Sequence, residues 1–128
     1  MRTPDRGLSL STLVVLLLPV LFLTVGLVVD GGAQTTAAAE ANTVANEAAR
    51  AGQNAAASLE LHGLDGSAQA VSAAREVLSR RGVDGEVIMV NRELTVTTRT
   101  SAPTTFLSAI GINEVRGKGR ATVHLERS

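Results

Sequence analysis

The two histidines, His62 and His124, are the first side chains to consider for chemistry, because imidazole is a common metal ligand. No second histidine follows either of them in an H-x-x-x-H pattern, and no cluster of carboxylates accompanies them. The chain also has no cysteine, which excludes disulfides, thiolate metal sites and thiol nucleophiles. We therefore expect ordinary surface or strand histidines, with no metal and no cofactor.

Motifs for nucleophilic catalysis and nucleotide binding are absent from the sequence as well. The serines occur in neither G-x-S-x-G nor Ser-x-x-Lys. Gly117 and Gly119 belong to neither G-x-G-x-x-G nor a P-loop. Glu76 and Arg80, four residues apart, are typical of an ion pair on a helix surface. The sequence predicts no enzyme and no small-molecule substrate.

The charge balance also limits the partners. The formal net charge is +0, with 12 basic and 12 acidic residues, and there are only two phenylalanines and no other aromatic residue. A nucleic-acid-binding protein normally has a basic patch, often with aromatic residues. We therefore expect no nucleic acid partner.

The element that must position the rest of the chain is the apolar segment from Leu8 to Val29. It has 22 residues, no charge and 16 large apolar side chains. As a helix it would be about 33 Å long, enough to cross a hydrocarbon core of about 30 Å. Its insertion is favoured by on the order of 6 kcal/mol. Pro19, in the middle of the segment, is tolerated in membrane helices. The sequence therefore predicts a single-pass protein of the cell membrane.

Charges on the two sides of this segment predict its orientation. Arg2 and Arg6 precede it, whereas Asp30, the first charge after it, is followed by no basic residue before Arg50. The positive-inside rule places residues 1–7 in the cytoplasm and residues 30–128 outside. A cleaved signal peptide remains an alternative, because Gly31 and Ala33 resemble a signal-peptidase site.

Residues 30–63 are rich in alanine, the best helix former. Gly31 and Gly32 could be a hinge, but we expect the helix to continue through them and to end near Gly63. Apolar residues at helical spacing form one narrow stripe, which either packs inside a small domain or against a neighbouring protein's helix. The stripe consists of Ala37, Ala41, Val44, Ala48, Ala51, Ala55 and Leu59.

Residues 64–128 are expected to form a small head. A second helix is predicted over Ser67 to Arg81, with Asp65 or Ser67 as its N-cap and Gly82 as its stop. One face of this helix is expected to be buried: Ala70, Val71, Ala74, Val77 and Leu78.

Three strands are expected after this helix. Residues 86–90, apolar enough to be half-buried or more, and residues 93–101 form a hairpin around Asn91-Arg92. The second strand alternates, with Leu94, Val96 and Thr98 directed inward. The last strand spans residues 115–126, and its glycines predict a bulge or a close backbone approach.

A short helical turn is expected between the second and third strands. Pro103 ends the strand before it, Thr104 or Thr105 is its cap and Gly111 its stop. Three apolar residues of this turn are expected to cover an edge of the core: Phe106, Leu107 and Ile110. The expected fold is thus α+β. A transmembrane helix over residues 8–29 continues into an Ala-rich helix over residues 30–63. A second helix and an antiparallel sheet of about three strands form the head over residues 64–128.

Several of these features together resemble the TadE/TadG-like proteins of tad (Flp) pilus assembly. They are Asp5-Arg6-Gly7 before an apolar span that opens with Ser and Thr, Pro19 inside the span, and GLVVDGG followed by an Ala-rich helix. The later TVTTRT, FLSAIGI and VRGKGRATV segments are also similar to that family. The resemblance implies a pilin-like fold: a single-pass, pilin-like or pseudopilin-like membrane protein. Its implied partners are the lipid bilayer, other pilin-like subunits and pilus-platform proteins.

The resemblance also implies a possible processing site between Gly7 and Leu8. Family members that are processed as prepilins are cut after such a glycine, and a glutamate follows at the fifth position after the cut. Here that fifth position is Thr12, which cannot supply the charge. We therefore expect an accessory subunit rather than a major filament pilin. The alternative remains a secreted small α/β binding protein released near Ala33.

Overall fold

The computed structural model describes residues 3–126, and for residues 3–8 it describes the main chain only. The described part begins at Thr3 with a helix of 59 residues, followed by a second helix and a three-stranded antiparallel sheet. This confirms the predicted α+β class. The elements are α1 (Thr3–Leu61), α2 (Ser67–Arg81), β1 (Asp84–Val90), β2 (Glu93–Pro103), a 3-10 helix (Leu107–Ile110) and β3 (Glu114–His124).

Helix α1 continues without a break through Pro19 and through Gly31-Gly32, as the sequence predicts. Near the glycine pair, the hydroxyls of Thr35 and Thr36 donate hydrogen bonds of 3.0 Å to the carbonyls of Gly31 and Gly32. The second half of α1 packs on the sheet and on α2, and the head is therefore built around it.

The sheet has the order β1-β2-β3, with both helices on one face. Asn91 and Arg92 form the predicted turn between β1 and β2, with φ of 49° and 68°, the left-handed values of a two-residue hairpin loop. Strand β2 buries Leu94, Val96 and Thr98, as predicted. Both strands of the hairpin are longer than expected, because β1 begins at Asp84 and β2 includes Pro103.

The prediction that β1 is half-buried or more is confirmed at its lower limit, because the residues of the strand alternate between a covered and an exposed face. Val87 is buried, but Ile88 and Val90 are 50% and 58% exposed. The reason is that α1 and α2 cover only one face of the sheet, so alternate residues of β1 lie on the uncovered face.

Helix α1 approaches β3 closely because β3 carries glycine where the two elements meet. A Cβ at Gly117 would lie 2.2 Å from the nitrogen of Ala38, and one at Gly119 would lie 2.2 Å from the carbonyl carbon of Ala41. The close backbone approach predicted for these glycines is confirmed. Thr98 and Thr100 of β2 pair with these glycines and donate hydrogen bonds to the carbonyls of Ala41 and Ala37.

Candidate functional site

The first half of α1 is an apolar surface with almost no cover from the rest of the chain. From Ser9 to Val29 every residue is exposed except Gly26. This stretch, here called the apolar shaft, is long and apolar enough to cross a membrane. Thr12 lies exposed on the shaft. The main chain of Gly7 and Leu8 is helical, and the Leu8 side chain lies outside the described part.

The Ala stripe of α1 packs largely inside the chain. Four of its residues are at most 2% exposed, and they lie in the half of α1 that packs on the sheet and on α2. Of the two alternatives for the stripe, packing within a small domain describes these four: Ala37, Ala41, Val44 and Ala48. The remaining three, Ala51, Ala55 and Leu59, are only partly buried.

The apolar shaft joins the head at a buried carboxylate that sequence reasoning missed. Asp30 is 1% exposed. Its two oxygens accept hydrogen bonds from the backbone N–H groups of Thr105 (2.8 Å), Phe106 (3.2 Å) and Leu107 (2.7 Å). One side chain of α1 thus satisfies three donors at the start of the 3-10 helix, which is where a carboxylate is most favourable.

Two expectations about the 3-10 helix are therefore wrong. Neither Thr104 nor Thr105 caps it through its side chain, because Asp30 accepts the hydrogen bonds of its first N–H groups. Phe106 and Ile110 do not cover an edge of the core, since they are 38% and 73% exposed. The expected stop is confirmed, because Gly111 has φ of 91°.

A second buried carboxylate lies near the C-terminal end of α1. Glu60 is 4% exposed. It accepts a hydrogen bond of 2.9 Å from the N–H of Gly66 and pairs with the guanidinium of Arg92. Arg92 also donates to the carbonyl of Leu125 at 3.1 Å. These contacts join the end of α1, the start of α2, the hairpin turn and the chain after β3.

Hydrogen bonds lower the pKa of both carboxyl groups. The N–H of Thr105 is the main cause for the pKa of Asp30, burial opposes it, and the N–H groups of Leu107 and Phe106 add to it. For the pKa of Glu60 the main cause is the N–H of Gly66, followed by Arg92. Both groups are therefore held in their charged form in the folded chain.

We predict that acid destabilises the head. A carboxyl group whose pKa is lowered by folding stabilises the folded state above its unfolded pKa, about 4. That contribution is lost as the pH falls through the lower, folded pKa. Urea unfolding of the full chain in detergent at pH 7, 5, 4 and 3 measures this loss.

One variant and one control test whether Glu60 contributes to this loss of stability in acid. Glu60→Gln should reduce the pH-dependent part of the stability, whereas Glu40→Gln, at an exposed position of the same helix, should leave it unchanged. Equal pH profiles for the wild type and Glu60→Gln would contradict the prediction.

The two histidines have different neighbours in the part of the chain that is described. Between residues 9 and 126, no three side chains of the metal-binding types lie together. His62 contacts the carbonyl of Ser58 through Nδ1, and His124 lies 3.5 Å from the carboxylate of Glu93.

No protein-family model, no curated protein and no solved structure matches this chain.

Proposed function

We propose that this chain is an accessory, pilin-like subunit of a tad (Flp) type pilus assembly and secretion machine. In this proposal α1 spans the cell membrane once, with its N-terminus in the cytoplasm, and the head faces outward. The protein acts by assembly: the apolar shaft packs laterally against other membrane helices, and the head contacts pilin-like subunits and pilus-platform proteins.

The observation that carries the proposal is the division of α1 into two different halves. Residues 9–29 are apolar and exposed, whereas the half that follows Asp30 forms the centre of the head. An exposed apolar surface of this length is costly in water and favourable in a bilayer. The basic residues before the shaft and the acidic residues after it support the proposed orientation.

Thr12 supports an accessory role. Filament pilins, which this chain resembles, have a glutamate at this position. That glutamate provides a charge inside the bundle of apolar helices. A threonine can satisfy its hydroxyl within its own helix and attracts no partner's amine. The chain is therefore suited to enter such a bundle without directing regular polymerisation.

Release of the head after Ala33 is the alternative, and two contacts disfavour it. Cleavage there would remove Asp30, which accepts the N–H groups of residues 105–107, and Gly26, against which Phe106 packs. The released head would lose the acceptor of three hydrogen bonds at the start of the 3-10 helix.

Gly31→Leu distinguishes the two candidates. Signal peptidase requires a small residue three positions before an Ala33–Gln34 cut, whereas a Cβ at Gly31 meets nothing within 4 Å. We expect unchanged processing and unchanged pili in this variant. The intact mass of the wild type should begin at Met1 or Leu8. A wild-type mass that begins at Gln34, with loss of the short form in Gly31→Leu, would contradict the proposal.

Deletion of the gene tests the assembly role directly. We expect loss of pili and of surface adherence, restored by the wild-type gene, and co-purification of the protein with pilus-platform proteins. A deletion strain with normal pili and adherence would contradict the proposed function even if the chain is membrane-anchored.

A further inference from the structure

The segment between β2 and β3, residues 104–113, is an exposed apolar loop. None of its ten residues is charged. Three of its four large apolar side chains are exposed to solvent: Ile110 by 73%, Ile112 by 46% and Phe106 by 38%. The fourth, Leu107, is partly buried. Single exposed apolar residues are common, but several together mark an interaction site. We refer to residues 104–113 as the apolar loop.

The apolar loop lies against the apolar shaft, beside the end nearest the head. A Cβ at Gly26 would lie 2.7 Å from the Cβ of Phe106, so the ring sits directly on this glycine. Gly26 precedes Val29, the last residue of the shaft, by three positions. At about 1.5 Å per residue, Phe106 therefore reaches about 4.5 Å back along the shaft.

Most backbone N–H groups of the apolar loop already have hydrogen-bond acceptors within the protein, so the loop depends little on water. The N–H groups of residues 105–107 bond to Asp30, and those of Thr104, Ala109, Gly111 and Ile112 bond to carbonyls within the loop. Even the hydroxyls of Thr104 and Ser108 donate to loop carbonyls. Lipid-exposed irregular backbone does not occur inside the hydrocarbon core, so a loop with these hydrogen bonds is suited to the boundary between head groups and acyl chains, where apolar surfaces are buried by about 5–10 Å.

We propose that the apolar loop inserts Phe106, Ile110 and Ile112 into the outer boundary of the bilayer that α1 spans. This inference rests on the proposed membrane anchoring. The occupant follows from continuity, because the loop extends the shaft's own apolar surface sideways at the point where the shaft meets the head. The contact would hold the head at a defined depth and rotation above the membrane.

Single tryptophans test this insertion, because the chain has neither Trp nor Tyr. The full chain is reconstituted in phosphatidylcholine and phosphatidylglycerol vesicles that contain lipids brominated near the start of their acyl chains. Bromine quenches only nearby indoles. The test variant is Ile110→Trp, and Ile112→Trp repeats the test at a second exposed position. Ile88→Trp, on the uncovered face of the sheet, is the aqueous control, and Leu23→Trp in the shaft reports the anchoring itself.

We expect Ile110→Trp and Ile112→Trp to lose most of their emission to the brominated lipid, whereas Ile88→Trp loses almost none. Quenching of Leu23→Trp without quenching of either loop variant would overturn the inference and leave the membrane anchor standing. Blue-shifted loop emission that the brominated lipid does not quench would also overturn it, because it would indicate burial against another protein copy. No quenching at any position, Leu23→Trp included, would overturn the anchor and the inference together.

Discussion

Gly119→Ala is expected to lower the free energy of unfolding of the head by about 3 kcal/mol, a large effect for one methyl group. The added Cβ would lie 2.2 Å from the carbonyl carbon of Ala41 and 2.3 Å from its oxygen. Both neighbours are main-chain atoms of a long helix, so they cannot move aside as a flexible side chain would. The substitution must push α1 away from β3.

Separation of α1 from β3 would also weaken a hydrogen bond on the adjacent strand. Gly119 pairs with Thr98, whose buried hydroxyl donates to the carbonyl of the same Ala41. A longer distance between the helix and the sheet would leave this hydroxyl without its acceptor. The packing and hydrogen-bonding losses therefore add in the same direction.

Hydrogen exchange of the full chain in detergent measures the loss, through the amides of β2 and β3 that open only on unfolding of the head. Gly32→Ala is the matched control, because a Cβ there meets nothing within 4 Å. An alanine in the helix interior is more favourable than glycine by roughly 0.5–1 kcal/mol, so this control should be neutral or stabilising. If the amides of β2 and β3 exchange at the same rate in Gly119→Ala and Gly32→Ala, the close approach of α1 to β3 does not contribute to stability, and the prediction is wrong.

The sequence predicted the kinds and order of the elements well because their patterns are local. Each of these patterns can be recognised from neighbouring residues alone. Examples are the uncharged run of 22 residues, the alternation in β2 and the glycines that end the helices. Gly117 and Gly119 were also predictable as a close approach, because two glycines in one strand have few other uses. Which element approaches them depends on the tertiary fold, and the sequence contains no local signal for it.

The buried face of α1 was predicted well at its start and less well at its end. The stripe includes Ala51, Ala55 and Leu59, but the fully buried residues in that region are Gly52 and Ala56. Part of the shift is the drift of a straight helix, about 20° per heptad against a strict seven-residue repeat. The other part comes from α2, since Gly52 lies against the carbonyl of Ala70 and Gly66 against Ala56.

The two buried carboxylates were missed because a charge is normally read as exposed. Helical spacing did contain a signal. Asp30 precedes the buried Ala37 by seven residues, and Glu60 follows the buried Ala56 by four, so both lie on the face of α1 that enters the head. The partners of Asp30 are backbone N–H groups far along the chain, whereas those of Glu60 are the nearby N–H of Gly66 and the guanidinium of Arg92. No sequence pattern indicates either set.

Asp30→Ala is expected to detach the apolar loop from α1 while the rest of the head stays folded. The substitution leaves the N–H groups of Thr105, Phe106 and Leu107 without their acceptor at a buried position. We expect the amides of residues 105–107 to exchange with solvent about tenfold faster or more in the full chain. Asp30→Asn, which keeps one acceptor oxygen but loses the charge, should give a smaller acceleration.

Two comparisons make the Asp30 prediction specific. Glu40→Ala removes an exposed carboxylate from the same helix and should leave the exchange of residues 105–107 unchanged. The amide of Gly66, held by Glu60 near the C-terminal end of α1, should keep its protection in Asp30→Ala. If the amides of residues 105–107 exchange at the same rate in Asp30→Ala and Glu40→Ala, Asp30 does not hold the loop. If the amides of residues 105–107 and of Gly66 lose protection together, the head unfolds as a whole, and Asp30 is part of its core rather than a local attachment between the apolar shaft and the loop.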